Sequence, residues 1–377
     1  VPPTTTQRLF KKDFTMFARS LALSFVALAG LAPVALAQTQ VSRVGGALTL
    51  TTNNTDQNVK VELKDGITRL FGFQGIADGQ SYTGITAISV NTGVGRDEIQ
   101  FDIEHASSLT VRANFGAGEA LNKTQWKVLA GQQNVNADFA ISSVAGPALQ
   151  LAEVNIDVES LGTTSVAINT GNAQLVSAKV GGDALSQALQ LSFTSRAAIT
   201  NLETTTAAGV VNATLRGTHA TPGSEVKYSF SQLRRGVMNV NASGTLSSGA
   251  DKLEGKVSTP GSLVTLTGNT NAGAGDDLVQ WELEGSSTTI GTTVGASIAG
   301  GAGNDFLSIA VKGRYQLSQT QGASLFGNEG DDVLVLTTDT AIVGTGLPND
   351  VNPVIDGGAG FDLYNAFGII RNCEGRL

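Results

Sequence analysis

A five-residue turn, G-x-G-x-D, returns four times in this chain, and that recurrence limits the available folds more than any other feature. The copies are Gly93-Val94-Gly95-Arg96-Asp97, Gly273-Ala274-Gly275-Asp276-Asp277, Gly301-Ala302-Gly303-Asn304-Asp305 and Gly358-Ala359-Gly360-Phe361-Asp362. A degenerate fifth, Asn328-Glu329-Gly330-Asp331-Asp332, keeps the second glycine and the closing acid. Looser copies put Gly223-Ser224-Glu225 and Gly249-Ala250-Asp251 in the same frame. The closing acids then fall at 225, 251, 277, 305, 332 and 362, with intervals of 26, 26, 28, 27 and 30 residues. A turn that returns at this interval between short apolar runs is the signature of stacked repeats.

The runs between the turns alternate with period two, as in Val59-Lys60-Val61-Glu62-Leu63, Glu98-Ile99-Gln100-Phe101-Asp102-Ile103-Glu104 and Val226-Lys227-Tyr228-Ser229-Phe230. Half-buried strands read this way. The expected class is all-β, a right-handed parallel β-helix or β-solenoid with coils of about 27 residues, its strands about 4.8 Å apart up the stack. An antiparallel β-sandwich is the rival. Glycine suits the corners because the chain must take positive φ there and the next corner sits directly above. Short helical turns are expected within 119–131 and 184–191. Between 140 and 215 the frame is hard to follow, with Gly171-Asn172 and Gly181-Gly182-Asp183 as candidate corners. Ile369, Ile370 and Leu377 are expected to close the last coil as a cap over about 363–377, with Cys373 as a buried thiol.

The N-terminal region reads as an export signal. From Met16, Arg19 supplies a short positive region, Leu21 to Val34 an apolar one, and Ala35-Leu36-Ala37 an A-x-A cleavage site. Residues 1–15 are then upstream of the true start, 16–37 the signal peptide, and 38–377 a single solenoid domain. A retained membrane anchor over Ser20–Ala37 is the alternative. Cleavage would leave 20 basic and 31 acidic residues, net -11. Such a surface argues against nucleic-acid or anionic-membrane partners. One cysteine cannot build an internal disulfide framework.

Gly300-Gly301-Ala302-Gly303-Asn304-Asp305-Phe306-Leu307 and Gly357-Gly358-Ala359-Gly360-Phe361-Asp362-Leu363 resemble the calcium-binding nonapeptide G-G-x-G-x-D-x-U-x of the RTX, or haemolysin-type, proteins. The resemblance implies that stacked turns share Ca²⁺ through the aspartate carboxylates and turn carbonyls. It marks Asp305 and Asp362 most strongly, then Asp277, Asp332 and Asp97. In the family the nonapeptides run in tandem and stack on both edges of a roll. Here each turn stands alone in a longer coil, so a ladder is expected on one edge only.

Independently of the resemblance, stacked carboxylates about 4.8 Å apart repel by roughly 1 kcal/mol per pair even in water. Ca²⁺ prefers such oxygen-only clusters. The other reading is that each aspartate accepts hydrogen bonds from turn amides.

Other constellations point to no chemistry. His105 and His219 lack metal-ligand spacing and read as exposed loop residues. No G-x-S-x-G elbow accompanies the serines. Arg234-Arg235 reads as a solvated pair guarding a strand edge. Trp126 and Trp281 are candidates for stacking on sugars, with Trp281 the better core residue. The expected function is a secreted, non-catalytic β-solenoid acting as an extracellular or cell-surface structural or adhesive element, with Ca²⁺ as the candidate cofactor and cell-surface glycan or matrix as partner. The alternative is a β-helix polysaccharide lyase or hydrolase acting on acidic glycans. A surface binder with flat threonine rows is a third option.

Overall fold

The computed structural model describes residues 38–377 apart from short segments at 53–55, 94, 106–107, 117–120, 132–133, 142–150, 172, 183–187, 260, 287–290, 317–321 and 340–351. The expected upstream segment and signal peptide lie outside the described residues. Residues Ala37–Leu377 form one compact unit. Among the described residues no helix is long and apolar enough to cross a membrane.

Among the described residues two sheets of 15 strands each make up the fold. The chain lays one strand in the first sheet, turns a corner, lays one in the second, turns again and repeats one level up. Ala188–Ser195 is followed by Ile199–Thr206, Val210–Thr218 by Glu225–Gln232, and Leu263–Ala274 by Leu278–Glu284. Within each sheet these strands are parallel and in register, as in Val210↔Val237 and Val237↔Leu263. The two sheets face one another as in a sandwich. Their parallel order, with successive strands alternating between sheets, makes the chain a β-solenoid. Between the strands Ala87–Asn91 and Val354–Ala359 coil length runs from 22 residues at Ala188↔Val210 to 30 at Ser324↔Val354. The end coils depart from it, with 40 at Ala47↔Ala87 and 15 at Val354↔Ile369.

Alternation positions the core. In Leu278–Glu284 every second residue is buried and the others face outward. Because the register holds from coil to coil, inward residues stack in columns such as Leu253, Val279, Leu307 and Leu334. Each side chain so buried contributes about 1.5–3 kcal/mol relative to exposure. Trp126 and Trp281 are both buried in this interior, so neither is available to stack on a sugar. Trp126 packs edge-on against Phe101 with centroids 4.9 Å apart. Gly255 separates Tyr228 from Trp281 in one column, and without a side chain there the two rings stack at 6.3 Å.

Antiparallel pieces close the N-terminal end. Gln40–Val44 pairs with Ala47–Thr51, and Gln57–Lys64 continues through Ile67–Phe71 to Gln80–Thr83. They cover the edges that a parallel stack would otherwise leave open to another chain. At the other end the strands shorten to Leu363–Asn365, Ile369–Arg371 and Gly375–Arg376. Ile370 packs partly against the core, whereas Ile369 and Leu377 are exposed. The cap is thus thinner than expected.

Among the described residues the helical turns expected within 119–131 and 184–191 do not form; 119–120 and 184–187 lie outside the described residues. Leu121–Gly131 and Ala188–Ser195 are strands, because coil stacking satisfies their backbone groups between neighbours. Gly171 turns a corner at φ 54°. Gly181 and Gly182 end the strand Leu175–Gly182, and Asp183 lies outside the described residues.

Candidate functional site: the aspartate edge

The corners leading from the first sheet to the second lie on one edge, and the repeated turn builds them there. Asp251, Asp277, Asp305, Asp332 and Asp362 precede strands whose first residues are aligned: Lys252↔Leu278, Leu278↔Phe306, Phe306↔Val333 and Val333↔Leu363. The five carboxylates therefore form one column, and each residue is at most 3% exposed.

Hydrogen bonds stitch the column from coil to coil. The Asp251 amide donates to Oδ1 of Asp277 at 2.7 Å, Asp277 to Asp305 at 2.9 Å, Asp305 to Asp332 at 2.8 Å and Asp332 to Asp362 at 2.8 Å. Glu374 ends the series by accepting from the Asp362 amide at 2.8 Å. At the other end Ser224 donates its amide to Asp251 Oδ1 at 2.6 Å. Each carboxylate thus caps the amide of the coil before it, across coils and not within its own turn.

A second ladder runs beside the first with the opposite polarity. The Asn304 amide donates to Asp276 Oδ1, Asp331 to Asn304 Oδ1, and Phe361 to Asp331 Oδ1, at 2.8, 2.9 and 2.8 Å. These residues are the variable position before each closing acid. The acceptors Asp276, Asn304 and Asp331 share an Asp or Asn identity there, with Phe361 giving only its amide, and that repetition is the sequence signal that would have revealed the ladder.

Glycine makes both ladders possible. Gly303 sits at φ 134°, and a Cβ there would overlap the carbonyl oxygen of Gly275 in the coil below. A Cβ on Gly300 would overlap Oδ2 of Asp305, so the carboxylate occupies the space that a side chain would take.

The second carboxylate oxygens set the electrostatics. Oδ2 of Asp277, Asp305, Asp332 and Asp362 is buried without a hydrogen-bond partner; that of Asp97 is buried too, but there the Thr92 hydroxyl also favours the carboxylate. Asp251 differs, because its Oδ2 accepts from both the amide and the hydroxyl of Ser247 at 2.6 Å. Burial outweighs the amide hydrogen bonds and pushes Asp277 up to about 6 and Asp305 up to about 7. It also raises Asp332, Asp362 and Asp97 above the usual carboxylate range.

An orphaned buried oxygen invites either a proton or a cation. The flank of Gly300 is met by Asp305 Oδ2 and by the carbonyl oxygen of Gly327, and that of Gly327 by Asp332 Oδ2 and the carbonyl oxygen of Gly357. One carboxylate and one carbonyl oxygen per coil is a donor set that suits a hard cation. Among the described residues no three acidic, histidine or cysteine side chains converge on one point, so such an ion would draw on backbone oxygens for the rest of its shell.

Asp97 stands apart from this column. Its Oδ1 accepts from the Gln57 amide at 3.0 Å, and Asp56 Oδ1 accepts from the Arg96 amide at 2.9 Å. That repeats the two-way stitch of the main edge for a single step near the N-terminal end. The expected closing acid at 225 is also displaced. Glu225 starts its strand opposite Lys252, and Ser224 occupies the ladder position.

His219 overturns its expected exposure. It is 3% exposed, with Nδ1 2.6 Å from the carbonyl oxygen of Ala197 one coil away, and burial holds its pKa below the usual histidine value. His105 is half-buried. Arg234 and Arg235 lie exposed in a turn after Gln232. Cys373 is a free, half-buried thiol whose Sγ donates to the Arg371 carbonyl at 3.1 Å. No protein-family model, curated protein or solved structure matches the chain.

Proposed function

We propose that this chain is an exported, non-catalytic β-solenoid that acts as a structural or adhesive element outside the cell or on its surface. The observation that carries the reading is the edge itself. Its acids are spent on joining one coil to the next, and the repeated turn is thereby explained as a device for registering a scaffold. The test applies the full chain, fluorescently labelled, to intact bacterial cells and to immobilised cell-wall polysaccharide, alongside an assay for chain cleavage of acidic glycans such as polygalacturonate. Retention on the surfaces without release of shortened glycan is expected. Catalytic shortening of the polymer would replace the reading with the lyase or hydrolase alternative. Export is checked separately, by recovery from culture medium of a chain beginning at Gln38.

A role for Ca²⁺ at the same edge is favoured by the orphaned Oδ2 atoms. Asp277, Asp305, Asp332 and Asp362 would hold it along the column and Asp97 at the isolated corner. The ion would neutralise carboxylates that burial otherwise disfavours as anions. Thermal unfolding in EDTA, then in millimolar CaCl₂ or MgCl₂, decides the matter. A saturable rise in melting temperature with Ca²⁺ alone is expected from linkage, and no rise would leave the acids as coil-to-coil caps.

A further inference from the structure

We propose that the outward face of the first sheet carries a trough that binds an uncharged, hydroxyl-rich glycan chain along the solenoid axis. This deepens the adhesive reading and rests on it, since it assigns that adhesion a surface and a class of partner.

The register places Thr110, Asn136, Ser165, Gln190 and Asn212 in one column, each aligned with the next. Four steps of about 4.8 Å give a run of roughly 19 Å. Beside it runs a second column of Arg112, Asp138, Ala167, Ser192 and Thr214. The two columns line a depression of about 430 Å³. Ala167 has the shortest side chain of its column, which leaves the hollow between Asp138 and Ser192.

Three features select the partner. First, every member of the first column carries a hydroxyl or a carboxamide, groups able both to donate and to accept. A sugar hydroxyl likewise does both. Second, one such group is offered per coil, so the surface repeats along its length as a polymer does. Third, among the described residues of the lining there is one pair of charges, Arg112 and Asp138, and these lie 3.5 Å from each other. A polyanion would find no free cation among the described lining residues.

The opposite face shows the contrast. Its comparable groove, over Gln100, Gln125 and Asn155, is bounded by Lys60, Asp102, Lys127 and Asp157, and Lys60 pairs with Asp102 at 3.4 Å. Hydrogen bonds made at an open surface compete with water, so each contact adds little and affinity must accumulate with chain length.

The test titrates the full chain with cellohexaose, laminarihexaose and chitohexaose, with hexagalacturonate as the charged counterpart, and follows binding by calorimetry or NMR. At least one neutral hexamer is expected to bind more tightly than its trimer and more tightly than hexagalacturonate. Ala167→Trp fills the hollow and Gln190→Glu places a charge in it. Each is expected to weaken binding by about tenfold or more, equivalent to about 1.4 kcal/mol. Asn201→Trp, on the exposed face of the second sheet, should leave binding unchanged. Circular dichroism melting confirms that each variant folds, and Gln190→Glu serves if Ala167→Trp does not.

Neutral-hexamer binding that survives both substitutions in folded protein would overturn the trough. So would a preference for hexagalacturonate, or no binding to any neutral hexamer. If the chain still adheres to cells in those cases, the adhesive reading stands and only the trough falls. Failure to adhere as well would remove both.

Discussion

The edge that carries the aspartates turns its corners in two ways. In the middle of the chain the caps are local. The Gly171 amide donates to Asn169 Oδ1 at 3.1 Å, and the Ala197 amide to Ser195 Oγ at 3.1 Å. Beyond Ser224 local caps persist, the Gly249 amide donating to Ser247 Oγ at 3.2 Å and the Gly273 amide to Asn271 Oδ1 at 3.1 Å, but the neighbouring coil adds its own caps through the aspartate column. Both satisfy corner amides, the Ala197 and Asp277 ones buried and the Gly171 one exposed. They differ in what else they specify. A cap reaching two residues along its own chain is indifferent to the coil above. A carboxylate reaching across coils fixes which residue lies over which. His219, bonded to Ala197 one coil away, is the mid-chain counterpart of that second kind.

The sharpest way to break the comparison is through glycine. Gly303 is needed both for its φ and because the corner below leaves no space. Gly223 has φ 78°, and its nearest neighbour is a carbonyl oxygen 4.0 Å from where a Cβ would lie. Gly303→Ala should therefore cost roughly 3 kcal/mol, from backbone strain plus overpacking, against about 1 kcal/mol for Gly223→Ala. Denaturant unfolding measures both, and equal losses would show that the stacked corners have room to spread.

Next in size is the carboxylate. Asp305→Ala leaves the buried Asp277 amide without an acceptor and should cost about 1–3 kcal/mol. Asp305→Asn keeps a side-chain oxygen while removing the acid, so in EDTA at pH 8 it should be neutral or stabilising. Any gain in melting temperature with Ca²⁺ should shrink in the same variant. An asparagine variant as unstable as the alanine one would mean that the charge, not the acceptor, holds the corner.

The two regions should also answer oppositely to pH. The aspartates have folded pKa values raised above 3.8, so their contribution is full below about pH 4. In EDTA it is lost as pH rises through about 6 for Asp277 and about 7 for Asp305. His219 has a folded pKa lowered from 6.5, so its contribution is present above that value and is lost as pH falls. Hydrogen exchange followed by mass spectrometry, with EDTA present, should show peptides from 277–338 opening faster at pH 8 than at pH 5, after correction for intrinsic exchange. Peptides around 195–219 should show the reverse. A common trend in both regions would break the division.

The same contrast explains what could be read from the chain and what could not. Alternation exposes the strands because each sheet has a core face and an outer face. The C-terminal spacing is visible because cross-coil caps demand an acid and glycines at fixed places. The mid-chain frame is hidden because Ser195 and Asn169 cap their turns as they would in any loop, and because one coil there is only 22 residues long. Taking Glu225 for the closing acid misses the ladder by one residue, since Ser224 fills that position with no carboxylate to mark it. The burial of His219 depends on a carbonyl in the previous coil, which no local pattern announces. The trough on the first sheet is equally invisible in advance, because it exists only once register has aligned residues 22 to 29 positions apart.

The smallest expected effect concerns the outer ladder, where solvent competes for every bond. Asn304 is exposed and joins Asp276 to Asp331. Asn304→Asp preserves the acceptor but puts a third negative charge between two others in the same column. The repulsion, screened by water, should cost a few tenths of a kcal/mol to about 1 kcal/mol and should fade as salt is raised toward 1 M. Melting temperatures of the two proteins measured in low and high NaCl would show the gap closing. A gap unaffected by salt would mean that Asn304 acts through its amide donors and not through charge spacing. The outer ladder would then contribute to coil register in its own right, as the inner one does.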